Sequence, residues 1–265
     1  MPKTRETVLE IDLKALTHNY RFLKSKLRPE TKFLAVVKAF AYGSDSVRIA
    51  QKLEQLNVDF LAVAYVAEGV ALRNAGIKAP ILVLHPQSVN FDTLIERCLE
   101  PSLYSPHMLM EFLSVAEKHN QKDYPAHIKF NTGLNRLGFW ENDVDFIAAQ
   151  LKGKKSLNIV SVFSHLAASE DLNEKEFTNS QIENFEKIAL EIDEKLGYSP
   201  QKHLLNTSGI INYPEAQYNM VRSGIGLYGY GNDPAIDVKL KSVVTLKTVI
   251  SQIHKIEPGE TVGYN

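Results

Sequence analysis

The chain has a single cysteine, Cys98, in 265 residues. That excludes an internal disulfide and a paired-cysteine metal site, and points to a reducing compartment. It has no excess charge of either sign. Lys plus Arg is 30 and Asp plus Glu is 31, for a net charge of −1, which removes the electrostatic case for nucleic-acid binding. No apolar run approaches the roughly 20 residues of a membrane-spanning helix. The opening MPKTRETVLEIDL carries no hydrophobic signal segment. H-E-x-x-H, G-x-S-x-G and Walker A motifs are absent. His18, His85, His107, His119, His127, His203 and His254 show no ligand spacing, so no metal is expected. A soluble, cytoplasmic globular protein without nucleic-acid or membrane partners is the expectation.

What is present is an ordinary globular mix, 44% apolar and 23% charged, arranged in an alternating rhythm. After a first apolar run, Thr7 to Ile11, Asp12 reads as a helix N-cap. Leu13, Leu16, Tyr20, Leu23 and Leu27 then recur at helical spacing. From Phe33 onward eight short apolar runs read as strands: 33–37, 60–64, 81–84, 101–104, 126–131, 157–164, 203–206 and 218–221. Helical stretches separate most of them, near 46–56, 68–74, 90–98, 106–119, 143–151 and 175–196. Strands apolar on both faces are those buried under helices. Eight such units predict an α/β fold of the (β/α)8 TIM-barrel type, with a doubly wound open sheet as the alternative. After about Lys239 the pattern changes to β-branched residues, 243–256, and a Pro258-Gly259 turn. This reads as a barrel domain over 1–238 and the start of a C-terminal β domain over 239–265.

Several residues carry possible chemistry. Lys38 ends the first barrel strand in an apolar setting, which favours a neutral, nucleophilic amine able to form a Schiff base; a snorkelling or ion-paired lysine is the plainer reading. Gly224-Ile225-Gly226-Leu227-Tyr228-Gly229 matches G-x-G-x-x-G, but no long amphipathic helix follows, so a dinucleotide site is disfavoured. Glycines after the eighth barrel strand suit a phosphate instead. Lys38, Arg136, His165, Asn206 and Arg222 all fall at or just past strand ends, on the rim where barrel active sites lie.

Taken together, Val36 to Gly43, Lys129 to Gly138, Ser164-His165, Asn206 to Gly209, Asn219 to Gly229 and Gly259 to Tyr264 resemble, in order, the bacterial alanine racemase family. The resemblance implies a barrel plus a C-terminal β domain, a homodimer, and pyridoxal 5'-phosphate as cofactor. It implies that Lys38 carries the cofactor covalently and that Tyr42, Thr207 and the amides of Gly224 and Ile225 hold its phosphate. His165 and Asn206 would lie against the cofactor, and Arg222 would face the pyridine nitrogen. Arg136 would contact substrate alanine. Racemisation needs a base on each face of the substrate carbon: Lys38 on one, and on the other Tyr264 of a second copy, linked through His165 to Arg222. Lys129 matches a position that is carbamylated in some members. The expected product role is D-alanine supply for peptidoglycan.

The sequence also departs from the family pattern. Phe40 replaces an asparagine, Ser44-Asp45 a Gly-His pair, Thr207 a serine, Asn131 an aspartate, Ser223 a proline and Gly263 a serine. The family's second domain extends well past Tyr264, so a fragment with poor activity of its own is the expectation. A non-catalytic pyridoxal-phosphate carrier with a lone barrel is the alternative function, and a barrel decarboxylase of basic amino acids is a third.

Overall fold

The computed structural model describes residues 6–264; the outer ends of the two expected domain ranges, 1–5 and 265, lie outside them. Eight parallel strands close into a barrel. They are β2 (Lys32–Val36), β3 (Phe60–Val63), β4 (Ile81–Val83), β5 (Glu100–Leu103), β6 (Tyr124–Lys129), β7 (Leu157–Phe163), β8 (Gln201–His203) and β9 (Met220–Ser223). Closure is made by β2 pairing with β3 on one side and β9 on the other, Leu34 standing beside both Phe60 and Arg222. This is the (β/α)8 architecture, and an open sheet is excluded. β1 (Val8–Ile11) stands apart, pairing antiparallel with β10 (Val244–Lys247).

The helices are α1 (Leu13–Lys24), α2 (Lys38–Gly43, left-handed), α3 (Ser46–Gln55), α4 (Val66–Asn74), α5 (Phe91–Glu96), α6 (Pro106–Lys118), α7 (Val144–Leu151), α8 (Lys175–Leu196), α9 (Thr207–Asn212) and α10 (Pro234–Asp237). Asp12 caps α1 as expected, its carboxylate accepting from the Lys14 and Ala15 amides at 2.7 and 3.0 Å. The inner stripe of α1, with Leu16, Tyr20 and Leu23, is buried with Phe33 in the main core between helices and sheet.

Three expected strands sit off register. The run expected at 126–131 is β6 at 124–129, because from Phe130 the chain leaves the strand and bridges to Phe139. The run expected at 218–221 is β9 at 220–223, because Tyr218 is a turn residue with φ +46°. The run expected at 203–206 is β8 at 201–203, because Asn206 leaves the ladder to cap α9. Of the β-branched stretch 243–256, only 244–247 forms a strand. It reaches back across the expected 238/239 boundary to pair with β1.

Side chains on a strand alternate between faces, so each barrel strand sends every second residue inward. On β2, β3, β4 and the start of β9 these are Leu34, Val36, Ala62, Leu82 and Met220, a closed apolar cluster. The other strands send in mainly polar groups, Glu100, His127, Ser161 and His203, with Phe163 stacked on His203 and Arg222 above Met220 on β9.

Candidate active site

The C-terminal ends of the strands surround a cavity of about 470 Å³, within the ordinary range for a small-molecule site. Lys38, Tyr42, Arg136, His165, Asn206, Thr207, Arg222, Gly224 and Ile225 all line it, together with Lys129. Those residues are therefore brought to one place. Four of them are cations, Lys38, Lys129, Arg136 and Arg222, and no Asp or Glu among the described residues lines the cavity.

Lys38 is set by an unusual backbone. The four residues after it, Ala39 to Tyr42, all have φ between +52° and +57°. No residue among them is a glycine, and each costs about 1–2 kcal/mol in this conformation. The turn is held from several sides. Ala41 is fully buried and Ala39 N–H donates to Glu68 Oε1 at 2.6 Å. Tyr42 packs on Tyr228 with ring centroids 4.8 Å apart. Left-handed winding sends Phe40 into solvent, 76% exposed, while Tyr42 turns back over the cavity. Lys38 itself is half-buried, so the apolar enclosure expected around it stops at Val37.

At the far end, β9 gives way to Gly224 and a tight turn of 3-10 helix, Ile225–Tyr228. The first hydrogen bond of that turn is Leu227 N–H to Gly224 O at 2.9 Å, which leaves the Ile225 N–H without a partner inside it. Gly224 leaves the room that the Tyr42 hydroxyl occupies: a Cβ there would clash with the phenol and force Tyr42 out of the cavity. Thr207 Oγ1 lies 3.0 Å from Ser223 Oγ and accepts from Gly226 N–H at 3.3 Å. Burial raises the Tyr42 pKa, so it remains a phenol that can donate. Hydroxyls and amides thus converge on the cavity, as an anion requires. Asn206 has a structural task as well, its Oδ1 accepting from Gly209 N–H at 2.9 Å and Ser169 O–H at 2.7 Å.

Arg222 is almost wholly buried and donates to the Ser164 and Leu204 carbonyls at 2.6 and 3.0 Å and to His165 Nδ1 at 3.1 Å. Burial pulls its pKa down to about 9, still above neutrality, so the charge persists. Burial and then Arg222, Lys129, Arg136 and Lys38 hold the His165 pKa well below its usual value. His165 is therefore neutral, and because Nδ1 accepts, its proton sits on Nε2. Lys129, 7% exposed, has its pKa lowered to about 8, by burial first and then by Arg136, Arg222 and Lys38. Arg136 rides on a loop folded around Asn131, whose Oδ1 accepts from Gly133 and Asn135 N–H at 3.2 and 2.9 Å.

Tyr264 is not brought to the cavity; it is fully exposed in a segment without regular secondary structure. Glu68 is a residue that sequence reasoning missed. Besides Ala39, it accepts from the Ala64 and Tyr65 amides at 2.6 and 3.2 Å, so one carboxylate ties the Lys38 turn to α4. An acid three residues past the N-cap Tyr65 was the available signal.

Residues 11–232 match the family model described as alanine racemase, N-terminal domain. The alanine racemase of Synechocystis is 36% identical over 263 residues, covering 97% of this chain and 69% of that protein. A solved alanine racemase of Clostridium difficile superposes with a TM-score of 0.89 at 31% identity, covering 98% of this chain and 69% of that one. A Bartonella henselae alanine racemase, solved with covalently bound pyridoxal phosphate, gives 0.85 at 27% identity, covering 98% and 71%. With the barrel closed and the rim residues gathered in one cavity, the chain belongs to the alanine racemase family of isomerases.

Proposed function

We propose that the cavity binds pyridoxal 5'-phosphate through Lys38 and racemises alanine, supplying D-alanine for peptidoglycan in the cytoplasm. The observation that carries this reading is the charge pattern: four cations and, among the described residues, no carboxylate around one cavity. A phosphate and a substrate carboxylate are the anions such a space suits. The donor set fits the cofactor end to end. Tyr42, Thr207, Gly224 and Ile225 would hold the phosphate, Arg222 and His165 would face the ring with Asn206 beside it, and Lys38 would make the covalent link. When bound, the cofactor withdraws electrons from the substrate Cα and makes its proton removable.

The chain's own residues then divide the work. Lys38 holds and returns the proton on one face. Arg136 receives the substrate carboxylate. Tyr264 of a second copy serves the other face, which makes the working unit a homodimer. Neutral His165 donates from Nε2 toward that phenol oxygen, and the positive charge that favours the phenolate comes from Arg222 behind it. Arginine keeps its proton, so Arg222 would leave the ring nitrogen unprotonated. Lys129, with its depressed pKa, is suited to take up carbon dioxide as a carbamate, whose negative charge would orient Arg136. In the same reading residues 1–238 are the cofactor domain and 239–265 open a second one.

The test is reductive trapping with added pyridoxal phosphate followed by peptide mapping. The adduct is expected on Lys38 and absent from Lys38→Ala. An adduct on another lysine sinks the assignment. Attachment at Lys38 with no D-alanine formed by a dimer-competent form would favour a carrier.

A further inference from the structure

Arg222 is a buried cation that touches no carboxylate among the described residues. Its acceptors are three backbone carbonyls and two imidazoles. A buried charge is costly unless it is compensated, and the charged groups lining the cavity above it, among the described residues, are further cations. The compensation lies in the opposite direction, down the barrel axis. Arg222 Nη1 is 2.6 Å from His203 Nδ1, and His203 Nε2 is 2.9 Å from Ser161 Oγ. Ser161 Oγ is 2.6 Å from His127 Nδ1, and His127 Nε2 is 2.7 Å from Glu100 Oε2. His127, Ser161 and His203 are each no more than 1% exposed. Glu100 starts β5, at the end of the barrel opposite the cavity, with a side chain 13% exposed.

The two ends set the direction of every bond between them. A guanidinium can only donate and a carboxylate can only accept. Arg222 therefore forces His203 Nδ1 to accept, which puts the His203 proton on Nε2, donating to Ser161. Ser161 gives its single hydroxyl proton to His127 Nδ1, and His127 donates from Nε2 to Glu100. An imidazolium at 127 would leave the Ser161 hydroxyl hydrogen with no acceptor, because its two partners among the described residues are these two rings. Phe163 stacks on His203 at 4.6 Å between ring centroids and lies 5.3 Å from the Arg222 guanidinium carbon, fixing the ring plane. We infer that Glu100 is the remote countercharge of Arg222. It acts through a one-way hydrogen-bond chain along the barrel interior, and it positions Arg222 for the site without touching substrate. A carboxylate at the end of such a chain makes the terminal imidazole nitrogen a stronger acceptor.

The catalytic consequence rests on the proposed role of Arg222; the proton positions do not. Nitrogen-15 spectra of the full chain, with no cofactor added, are expected to show pyridine-like Nδ1 and pyrrole-like Nε2 on both His127 and His203. Glu100→Gln keeps an acceptor but removes the charge. It is expected to shift the His203 Nδ1 signal, to lower kcat for alanine on the order of tenfold with KM nearly unchanged, and to lower the unfolding midpoint because Arg222 loses its countercharge. Ser161→Ala cuts the chain, and in that background Glu100→Gln is expected to change neither signal nor rate further. A protonated Nδ1 on either ring overturns the inference. So does a Glu100→Gln variant with unaltered His203 signal, or one whose effect is the same size without Ser161. Should Ser161→Ala not fold, the spectra of the unsubstituted and Glu100→Gln chains decide alone. Failure of Lys38 to trap cofactor would end the functional reading and leave the nitrogen assignments standing.

Discussion

The two halves of the barrel interior solve the same packing problem with opposite chemistry. The wall made by β2, β3, β4 and the base of β9 is filled with Leu34, Val36, Ala62, Leu82 and Met220. The wall made by β5 to β8 and the top of β9 carries Glu100, His127, Ser161, His203 and Arg222, with Phe163 as an apolar plate against His203 and Arg222. The apolar wall gains its stability from area removed from water. The polar wall forgoes that gain and relies on pairing its buried donors and acceptors, which it does along the line from Glu100 to Arg222 but not at Ser102, whose buried Oγ has no partner among the described residues. Each wall delivers something different to the rim. The apolar wall ends in the strained left-handed turn that sets Lys38. The polar wall ends in the buried charge of Arg222.

The largest expected effect separates the walls by size. Leu82→Ala empties a fully buried position in the apolar wall and is expected to cost about 3 kcal/mol in urea unfolding, by the same amount at any pH where both states are unchanged in protonation. A loss under about 1 kcal/mol would mean that the wall collapses around the gap and is not closely packed.

The next effect belongs to the polar wall alone. Burial, reinforced by Arg222, holds the His203 pKa well below its usual value near 6.5. Below about pH 6.5 the unfolded chain takes a proton at this position that the folded chain refuses. Stability present above pH 6.5 is therefore lost as the pH falls from there through the depressed folded value. Between about pH 7.5 and pH 5.5 the loss from His203 is about 1.4 kcal/mol, and His165 adds to it in the same direction. The check is urea unfolding at both pH values for the unsubstituted chain and for His203→Gln. A difference of the same size in the variant would place the pH dependence elsewhere.

The apolar wall was plain in the sequence and the polar wall was not, for a physical reason. Strands such as 33–37 and 60–64 announce themselves by continuous hydrophobicity, so eight units and closure could be counted. His127, Ser161 and His203 lie on three different strands, and nothing in their spacing shows that they share a line of hydrogen bonds. Arg222, His165 and Arg136 could be placed on the rim because strand ends locate the rim of any barrel. The left-handed turn after Lys38 had no local marker, since its four residues carry none of the glycine or asparagine that usually signals positive φ. Glu68 was legible only as a helix cap, while its second task depends on the fold bringing Ala39 beside it.

That turn supplies the smallest and most specific effect. Phe40 sits at φ +54° with a ring that is mostly in solvent, so the residue contributes backbone strain and little packing. Asparagine tolerates this conformation better than an aromatic residue does. Phe40→Asn is expected to raise stability by about 0.5–1 kcal/mol, read as a higher urea midpoint with an unchanged slope. Phe40→Leu, which trims the exposed ring but keeps the backbone cost, is the control and should show no gain. Equal behaviour of the two variants would mean that the contacts of Ala41, Tyr42 and Glu68 set the turn so firmly that position 40 carries no strain of its own. The strain at the head of the apolar wall would then be confined to the buried side of the turn, next to Lys38.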